Sequence, residues 1–250
     1  VGTITPIAQD GNPKPRVFRN FQDKSIINRL GFNNKGVDHL VKNLKSRSYK
    51  GIVGVNIGAN KKSEGEQRIK DYLLCIEKLY KYADYITVNI SSPNTPNLRD
   101  LHNANNLSNL LLSIENKAKE LKTKLPFFLK ISPDETNESI ENIIKAVETS
   151  FFKGVIATNT TIDKTNLTNK KYKDIEGGLS GKPLMESSTD KIKFIKSKSN
   201  GEIPVIGVGG VMNAEDFNKK IEAGSELVQI YTGFVIKGPN ILNEILDKYD

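Results

Sequence analysis

Short apolar runs alternate with amphipathic stretches along the whole chain. The runs are four to six residues long and rich in β-branched side chains, which is typical of strands buried on both faces of a parallel sheet. They predict strands at residues 1–4, 52–57, 85–90, 127–131, 154–157, 204–208 and 227–231. Apolar residues recur every three or four positions between most of these runs, and this spacing predicts helices at residues 36–48, 66–81, 107–123, 137–150, 188–199, 214–222 and 239–248.

The alternation of strands and helices indicates an α/β fold in which helices cover a parallel sheet. Seven strands are visible, whereas a closed (β/α)8 TIM barrel has eight. We expect such a barrel, formed by residues 1–250 as a single domain whose first strand lies upstream of this sequence. A doubly wound open sheet is the alternative, but polar clusters after nearly every strand favour the barrel, which builds its site at the carboxyl ends of its strands.

The composition is that of a folded chain with an excess of positive charge. Apolar residues make up 37% of the 250 residues and charged residues 26%, the balance of a globular protein. The net charge is +8, but the lysines are spread along the chain without a dense block interleaved with aromatic residues. We therefore expect solvated helix faces, which would also help to attract an anionic substrate, in preference to a nucleic-acid interface.

The single cysteine and the lengths of the apolar runs indicate which redox compartment fits the protein and whether a run could span a membrane. Cys75 lies in an apolar helical stretch, which predicts a core thiol, and one cysteine excludes an internal disulfide framework. A reducing compartment is consistent with this cysteine usage. No apolar run approaches the ~20 residues that span a bilayer as a helix.

Polar side chains follow successive predicted strands at the point where each strand ends. Asn56 ends the second strand, residues 89–95 follow the third, residues 130–134 end the fourth, and residues 158–161 follow the fifth. One such cluster would be an ordinary turn, but strand ends of a barrel converge on one pocket. Amides and hydroxyls supply both donors and acceptors, which suits a planar heterocycle such as a flavin or a pyrimidine.

Glycines mark a phosphate site in the last two units. Residues 207–210 end the sixth visible strand and residues 231–233 end the seventh, where barrels often bind phosphate. Glycine lets the backbone N–H groups approach an anion closely. A further glycine-rich segment, 177–181, is expected to form a loop that closes over the ligand.

Metal sites and dinucleotide fingerprints are missing from the sequence. His39 and His102 are the only histidines, and no Cys/His set has the spacing of a metal site, so we predict no metal. Neither a GxGxxG turn before a helix nor a GxxxxGK[ST] loop occurs. Redox chemistry would then come from an organic cofactor, and a barrel with a monophosphate site favours FMN.

Seven short motifs follow one another over nearly the whole chain: VGTITP (1–6), NRLGFNN (28–34), NIG (56–58), NISSPNTP (89–96), ATNTT (157–161), GGLSG (177–181) and GVGG (207–210). In these motifs and in their order, the sequence resembles the dihydroorotate dehydrogenase family. The resemblance implies oxidation of dihydroorotate to orotate in pyrimidine biosynthesis, with FMN as hydride acceptor and a quinone as final electron acceptor.

The resemblance also implies catalytic roles. The catalytic base of the family falls on Ser92, and a serine here is typical of the quinone-dependent class, whereas the cytosolic class has cysteine. Ser92 would take the C5 proton of dihydroorotate while a hydride leaves C6 for flavin N5. Because a serine is a weak base on its own, it needs assistance, which the resemblance assigns to Thr95 and a water path lined by Phe32.

Binding residues follow from the same resemblance. The FMN contacts of the family fall on Thr3, Asn56, Asn89, Lys130, Thr158, Gly181, Gly210, Tyr231 and Thr232. The substrate contacts fall on Asn28, Phe32, Asn89, Asn94, Asn159 and Thr160. Lys130 would act as a cation beside the N1/O2 edge, where it stabilises the anionic reduced flavin.

Quinone-dependent members of the family carry an upstream first barrel strand and an N-terminal helical pair that docks on the membrane and forms the quinone tunnel. No part of this sequence matches either element, so we expect a partial sequence of an active enzyme. The resemblance implies a peripheral membrane protein facing a reducing compartment, at the cytoplasmic side of a bacterial inner membrane or at the mitochondrial inner membrane.

Two alternative functions stay open beside the oxidation of dihydroorotate. A related FMN barrel could act on another pyrimidine, although Asn28, Asn94, Asn159 and Thr160 match the orotate-binding pattern of the family. A basic, non-catalytic module that binds nucleic acid is the other, and it predicts no bound flavin and binding that weakens steeply with salt.

Overall fold

The computed structural model describes residues 1–91 and 104–248 of the chain. The strands in these ranges are β1 (Val17–Asn20), β2 (Ser25–Asn28), β3 (Gly54–Ile57), β4 (Tyr85–Asn89), β5 (Phe127–Ile131), β6 (Gly154–Ala157), β7 (Gly178–Gly181), β8 (Val205–Val208) and β9 (Leu227–Gln229). The helices are α1 (Val37–Lys45), α2 (Glu66–Leu79), α3 (Ala104–Glu120), α4 (Asn137–Glu148), α5 (Met185–Lys198), α6 (Ala214–Glu222), α7 (Thr232–Lys237) and α8 (Asn240–Leu246).

Six parallel strands form the main sheet in the order β3-β4-β5-β6-β8-β9. This order follows the chain without a reversal, and a doubly wound sheet is defined by such a reversal, so that alternative is not supported. Successive helices contact each other from α1 through α6, as expected for one outer layer around a curled sheet. The fold is therefore a partial TIM-like α/β fold.

The predicted first strand, residues 1–4, is reduced to a single parallel bridge between Ile4 and Ile57. Backbone hydrogen bonds still run from Ile4 N–H to the Asn56 carbonyl and from Asn56 N–H to the Val1 carbonyl. Gly2 interrupts the extended backbone with a φ of 110°, and a Cβ there would lie 2.3 Å from the Asn56 carbonyl oxygen. The segment therefore lies beside β3 without forming a regular strand.

A second, antiparallel sheet with the order β1-β2-β7 was missed by the sequence reasoning. Asn28 pairs with Gly178 and Ser25 with Gly181, across about 150 intervening residues. The expectation that residues 177–181 form a loop closing over the ligand is therefore wrong, because most of that segment is β7. This sheet holds Asn28 and Gly181 beside the carboxyl ends of the parallel strands.

The buried faces agree with the apolar periodicity. Leu107, Leu110, Leu111, Ile114 and Ala118 of α3 are buried. Asn213 caps α6, because its side-chain oxygen accepts a hydrogen bond from Asp216 N–H at 2.8 Å. Cys75 is buried and burial raises the pKa of its thiol, so it is a core thiol as predicted.

Many lysines lie on helix surfaces beside acidic residues. Lys78 pairs with Asp38 at 2.6 Å, and Lys219 pairs with Glu215 one turn away on α6. Such exposed pairs contribute little to stability, because water screens the attraction between the two charges. The excess charge is thus spread over solvated helix faces, as expected. Within the described ranges, no helix is long and apolar enough to cross a bilayer.

Candidate active site

A cavity of about 820 Å³ lies at the carboxyl ends of the parallel strands and extends along the edge of the sheet to Gly54 and Tyr85, at the amino ends of β3 and β4. Cofactor and small-molecule sites have volumes of roughly 300–1,000 Å³. Every predicted site residue within the described ranges lines this cavity, namely Thr3, Asn28, Phe32, Asn56, Asn89, Lys130, Thr158, Asn159, Thr160, Gly181, Gly210, Tyr231 and Thr232. The other three, Ser92, Asn94 and Thr95, lie outside the described residues.

A row of hydrogen-bonded side chains crosses the ends of three strands. The Thr3 hydroxyl donates to Asn56 Oδ1 at 2.8 Å and accepts from Asn89 Nδ2 at 3.3 Å. Asn159 Nδ2 continues the row and donates to Asn89 Oδ1 at 3.3 Å and to Ser91 Oγ at 3.0 Å. The row fixes amides and hydroxyls that can bind the alternating N–H and C=O groups of a heterocycle.

Buried contacts hold this row from behind. The Tyr72 hydroxyl on α2 donates to the Asn89 carbonyl at 2.7 Å, and burial raises the pKa of this phenol. Thr158 N–H donates to the Val208 carbonyl at 2.8 Å and so ties the end of β6 to the end of β8. The polar tips of neighbouring strands are therefore positioned by the core and not only by one another.

Lys130 brings the only charged side chain to the cavity lining in the part of the chain that the structure describes. It lies on β5 between Asn89 and Ile156 of the adjacent strands. Desolvation lowers the pKa of Lys130 from 10.5 to about 8. No described residue accepts a hydrogen bond from its ammonium or forms an ion pair with it. A cation held in this way attracts an anionic partner.

The glycine turn after β8 forms one end of the cavity. Gly209 and Gly210 have φ angles of 125° and 82°, which L-residues rarely adopt. A Cβ on Gly210 would lie 2.4 Å from Met185 Cα, so only glycine lets the start of α5 pack here. Among the described residues, none accepts a hydrogen bond from the buried N–H groups of Gly210 and Val211.

The turn between β9 and α7 packs against the glycine turn after β8. A Cβ on Gly233 would lie 2.3 Å from the Val211 carbonyl oxygen, so glycine is needed for α7 to approach the turn after β8. The Thr232 hydroxyl donates to Ser180 Oγ at 2.8 Å, while the Tyr231 side chain is largely exposed. Unbonded buried N–H groups require an acceptor, and a bound phosphate supplies several oxygens.

The small antiparallel sheet also borders the cavity and reaches from Ser180 beside Thr232 to Asn28. Asn28 ends β2 next to β7, and Phe32 follows with a φ of 53°, a conformation uncommon for a bulky residue and frequent at functional sites. A Cβ on Gly58 would lie 2.9 Å from the Thr3 methyl group and 3.0 Å from the Phe32 ring. Gly58 thus lets Thr3 and Phe32 approach each other at the cavity wall.

Several polar residues in the lining were not among the predicted site residues: Asn33, Asn34, Tyr85, Thr87, Ser180 and Gln229. Thr87 and Tyr85 precede Asn89 by two and four positions on β4, and residues two apart on a strand face the same side. Ser180 lies within the glycine-rich segment for which the sequence predicts a loop. The period of two is therefore a signal that could have identified Thr87 and Tyr85.

No metal cluster occurs in the described ranges, where no group of three or more His, Cys, Asp and Glu side chains comes together. His39 is exposed on α1, and His102 lies outside the described residues.

Known relatives match nearly the whole chain. The family model for dihydroorotate dehydrogenase matches residues 1–250. A protein of Shewanella sp. (strain ANA-3) named dihydroorotate dehydrogenase (quinone) is 51% identical over 253 residues, covering 100% of this chain and 75% of the relative. A protein of Idiomarina loihiensis with the same name is 48% identical over 250 residues, covering 98% and 75%.

A solved structure matches the fold. The crystal structure of DHODH from Eimeria tenella in complex with ferulenol has a TM-score of 0.93 at 33% identity, over 100% of this chain and 73% of that chain. Because the family model spans every residue and relatives of about half identity cover nearly all of the sequence, the chain belongs to the dihydroorotate dehydrogenase family.

Proposed function

We propose that this cavity binds both FMN and dihydroorotate, so that the chain oxidises dihydroorotate to orotate in pyrimidine biosynthesis and a quinone finally takes the electrons. The chain is an oxidoreductase of the quinone-dependent dihydroorotate dehydrogenase kind. One observation carries the proposal. A single cavity has unbonded N–H groups at one end, a row of fixed amides at the other, and one ammonium in its wall.

The residues around the cavity fit FMN. The N–H groups of Gly210 and Val211 would hold the phosphate, because the described residues leave these donors without an acceptor. The full set proposed to hold FMN is Thr3, Asn56, Asn89, Lys130, Thr158, Gly181, Gly210, Tyr231 and Thr232. When bound, FMN supplies the acceptor for the hydride of dihydroorotate.

Lys130 has a defined electrostatic task in this proposal. Its ammonium loses hydration in the cavity wall and has no acidic partner among the described residues. An anion bound beside it would raise its pKa again and keep the lysine protonated. Lys130 would therefore stabilise negative charge where it develops, without reorganisation of the surrounding residues.

The substrate is proposed to bind along the asparagine row. The residues assigned to it are Asn28, Phe32, Asn89, Asn159 and Thr160 in the lining, with Asn94 outside the described residues. Ser92 takes the C5 proton with the help of Thr95, and both also lie outside those ranges. Ser91 precedes Ser92, is buried and accepts a hydrogen bond from Asn159, which supports a base next to the substrate row.

The family is membrane-associated, and the chain spans about three quarters of the length of its curated relatives. We propose that residues 1–250 act as one FMN-binding catalytic domain and that the sheet belongs to a closed eight-stranded barrel. A further parallel strand would lie between Ile4 and β9, the two edges of the described sheet, where Leu227 is exposed. The proposed location is the periphery of a membrane, facing a bacterial cytoplasm or a mitochondrial compartment.

Flavin content and substrate choice test the proposal. The purified protein is expected to absorb near ~450 nm, and heat should release FMN, identified by chromatography. With a soluble quinone as acceptor, dihydroorotate should be oxidised, whereas dihydrouracil, which lacks the carboxylate, should not. A colourless protein that takes up no FMN, or faster oxidation of dihydrouracil, would refute the proposal.

A further inference from the structure

Lys220 on α6 is a buried lysine that lies outside the cavity lining. It has no exposed surface, which is rare for lysine. Its ammonium donates to Ser188 Oγ at 2.6 Å, to Thr189 Oγ1 at 2.9 Å and to the Met185 carbonyl at 3.3 Å. All three acceptors belong to the first turns of α5, so the ammonium fastens α6 to the start of α5.

The same turns of α5 support the glycine turn of the cavity. The Ser188 hydroxyl lies 3.1 Å from the Gly209 carbonyl oxygen and 2.7 Å from that of Leu184. A Cβ on Gly209 would lie 2.8 Å from Ser188 Oγ, and one on Gly210 would overlap Met185. A chain of contacts therefore runs from Lys220 through Ser188 to Gly209, just before the unbonded N–H groups.

Asp216 lies one helical turn before Lys220 on α6 and holds the far end of the glycine turn, at Met212. Its carboxylate is buried, and it accepts from Met212 N–H at 3.0 Å and pairs with the Lys182 ammonium at 2.8 Å. Lys182 directly follows Gly181, which lines the cavity. Two charged residues of α6 thus fix the segment from Gly209 to Met212 at both of its ends.

We propose that Lys220 is a positioning residue for the phosphate of the cofactor: through Ser188 it keeps the N–H groups of Gly210 and Val211 directed into the cavity. Lys220 does not touch the ligand. A preorganised turn binds phosphate without reordering its backbone, and a loosened turn must be ordered on binding. This inference rests on the proposed function, because it needs a ligand that carries a phosphate.

A comparison of FMN with riboflavin, which lacks the phosphate, tests the inference. Dissociation constants are measured by flavin fluorescence on flavin-free protein. Lys220→Met is expected to weaken FMN binding at least tenfold while riboflavin affinity changes little. Ser188→Ala keeps the lysine but breaks its link to Gly209, and a smaller loss confined to FMN is expected.

Lys196→Met is the matched control. Lys196 lies on α5, and its ammonium donates hydrogen bonds to the carbonyls of Gly201 and Ile203, which do not line the cavity. It should lower the melting temperature without changing the ratio of the two dissociation constants.

Each outcome bears on a separate claim. Equal weakening of both flavins in Lys220→Met and Ser188→Ala, or no weakening, overturns the positioning role. If Lys220→Met does not fold, the Ser188→Ala ratio alone decides the matter. Wild-type protein that binds FMN no better than riboflavin overturns the phosphate site, and wild-type protein that binds neither overturns the proposed function.

Discussion

Replacing Lys130 with methionine is expected to stabilise the flavin-free protein while it weakens flavin binding. Desolvation lowers the pKa of Lys130 in the folded protein from 10.5 to about 8. The unfolded chain therefore binds this proton more tightly than the folded chain. The protonated lysine destabilises the fold fully at pH values well below 8, and the penalty disappears as the pH rises above about 10.5.

The magnitude follows from the two pKa values. The pKa of Lys130 is 10.5 in the unfolded chain and about 8 in the folded protein. This difference lowers the free energy of unfolding by about 3 kcal/mol at pH 7 and by about 1 kcal/mol at pH 9.5. These figures are upper limits, because Lys130 is only partly buried in the cavity wall and solvent screens its charge. Lys130→Met removes the charge and keeps an apolar side chain of similar length. Its advantage over the wild type should therefore shrink by about 2 kcal/mol between pH 7 and pH 9.5.

Urea unfolding of the flavin-free proteins at both pH values measures this difference. Lys193→Met is the control, because Lys193 is exposed on α5 and its replacement should give no pH-dependent change. Flavin fluorescence should at the same time report FMN binding by Lys130→Met at least tenfold weaker than by the wild type. A variant less stable than the wild type at pH 7, or an advantage independent of pH, would refute the desolvation argument.

Three further predictions concern single residues. Ser92→Ala should leave FMN bound while dihydroorotate bleaches the flavin more slowly by about 10²–10⁴-fold in stopped flow; near-normal bleaching would remove Ser92 from its role. Gly210→Ala should abolish tight FMN binding in a fluorescence titration, because a Cβ would lie 2.4 Å from Met185 Cα and φ is 82°. Unchanged affinity would contradict this steric argument. Cys75 should react with a thiol reagent only as fast as the chain unfolds, because it is buried and its pKa is raised; faster labelling in native buffer would place it near the surface.

The parallel strands and most helices were predictable because their burial repeats along the chain. Strands such as β6 and β8 are apolar runs buried along their whole length, and α3 has one apolar face. β2 and β7 were not predictable, because these four-residue strands gain their stability by pairing with each other across the fold. α7 was missed because it has only six residues and starts where the predicted strand was extended to Tyr231.

The cavity lining was predictable to the extent that it lies at strand ends. The positions after parallel strands must converge, and this placed Asn56, Asn89 and Lys130 together without knowledge of any contact. The bracing of the glycine turn by Lys220 was not predictable, because it depends on the packing of α6 against α5. Nothing in a lysine-rich sequence distinguishes this buried lysine from the solvated ones.

The distribution of polar groups in the described lining also favours anionic ligands in this cavity. The described lining has no carboxylate, one lysine ammonium, and buried residues, among them Gly210 and Val211, whose N–H groups have no acceptor among the described residues. A buried donor left unpaired costs about 1–3 kcal/mol, so riboflavin would leave this penalty in place where FMN removes it. The same charge balance favours the anionic dihydroorotate over the uncharged dihydrouracil, because the described lining offers a cation and no carboxylate.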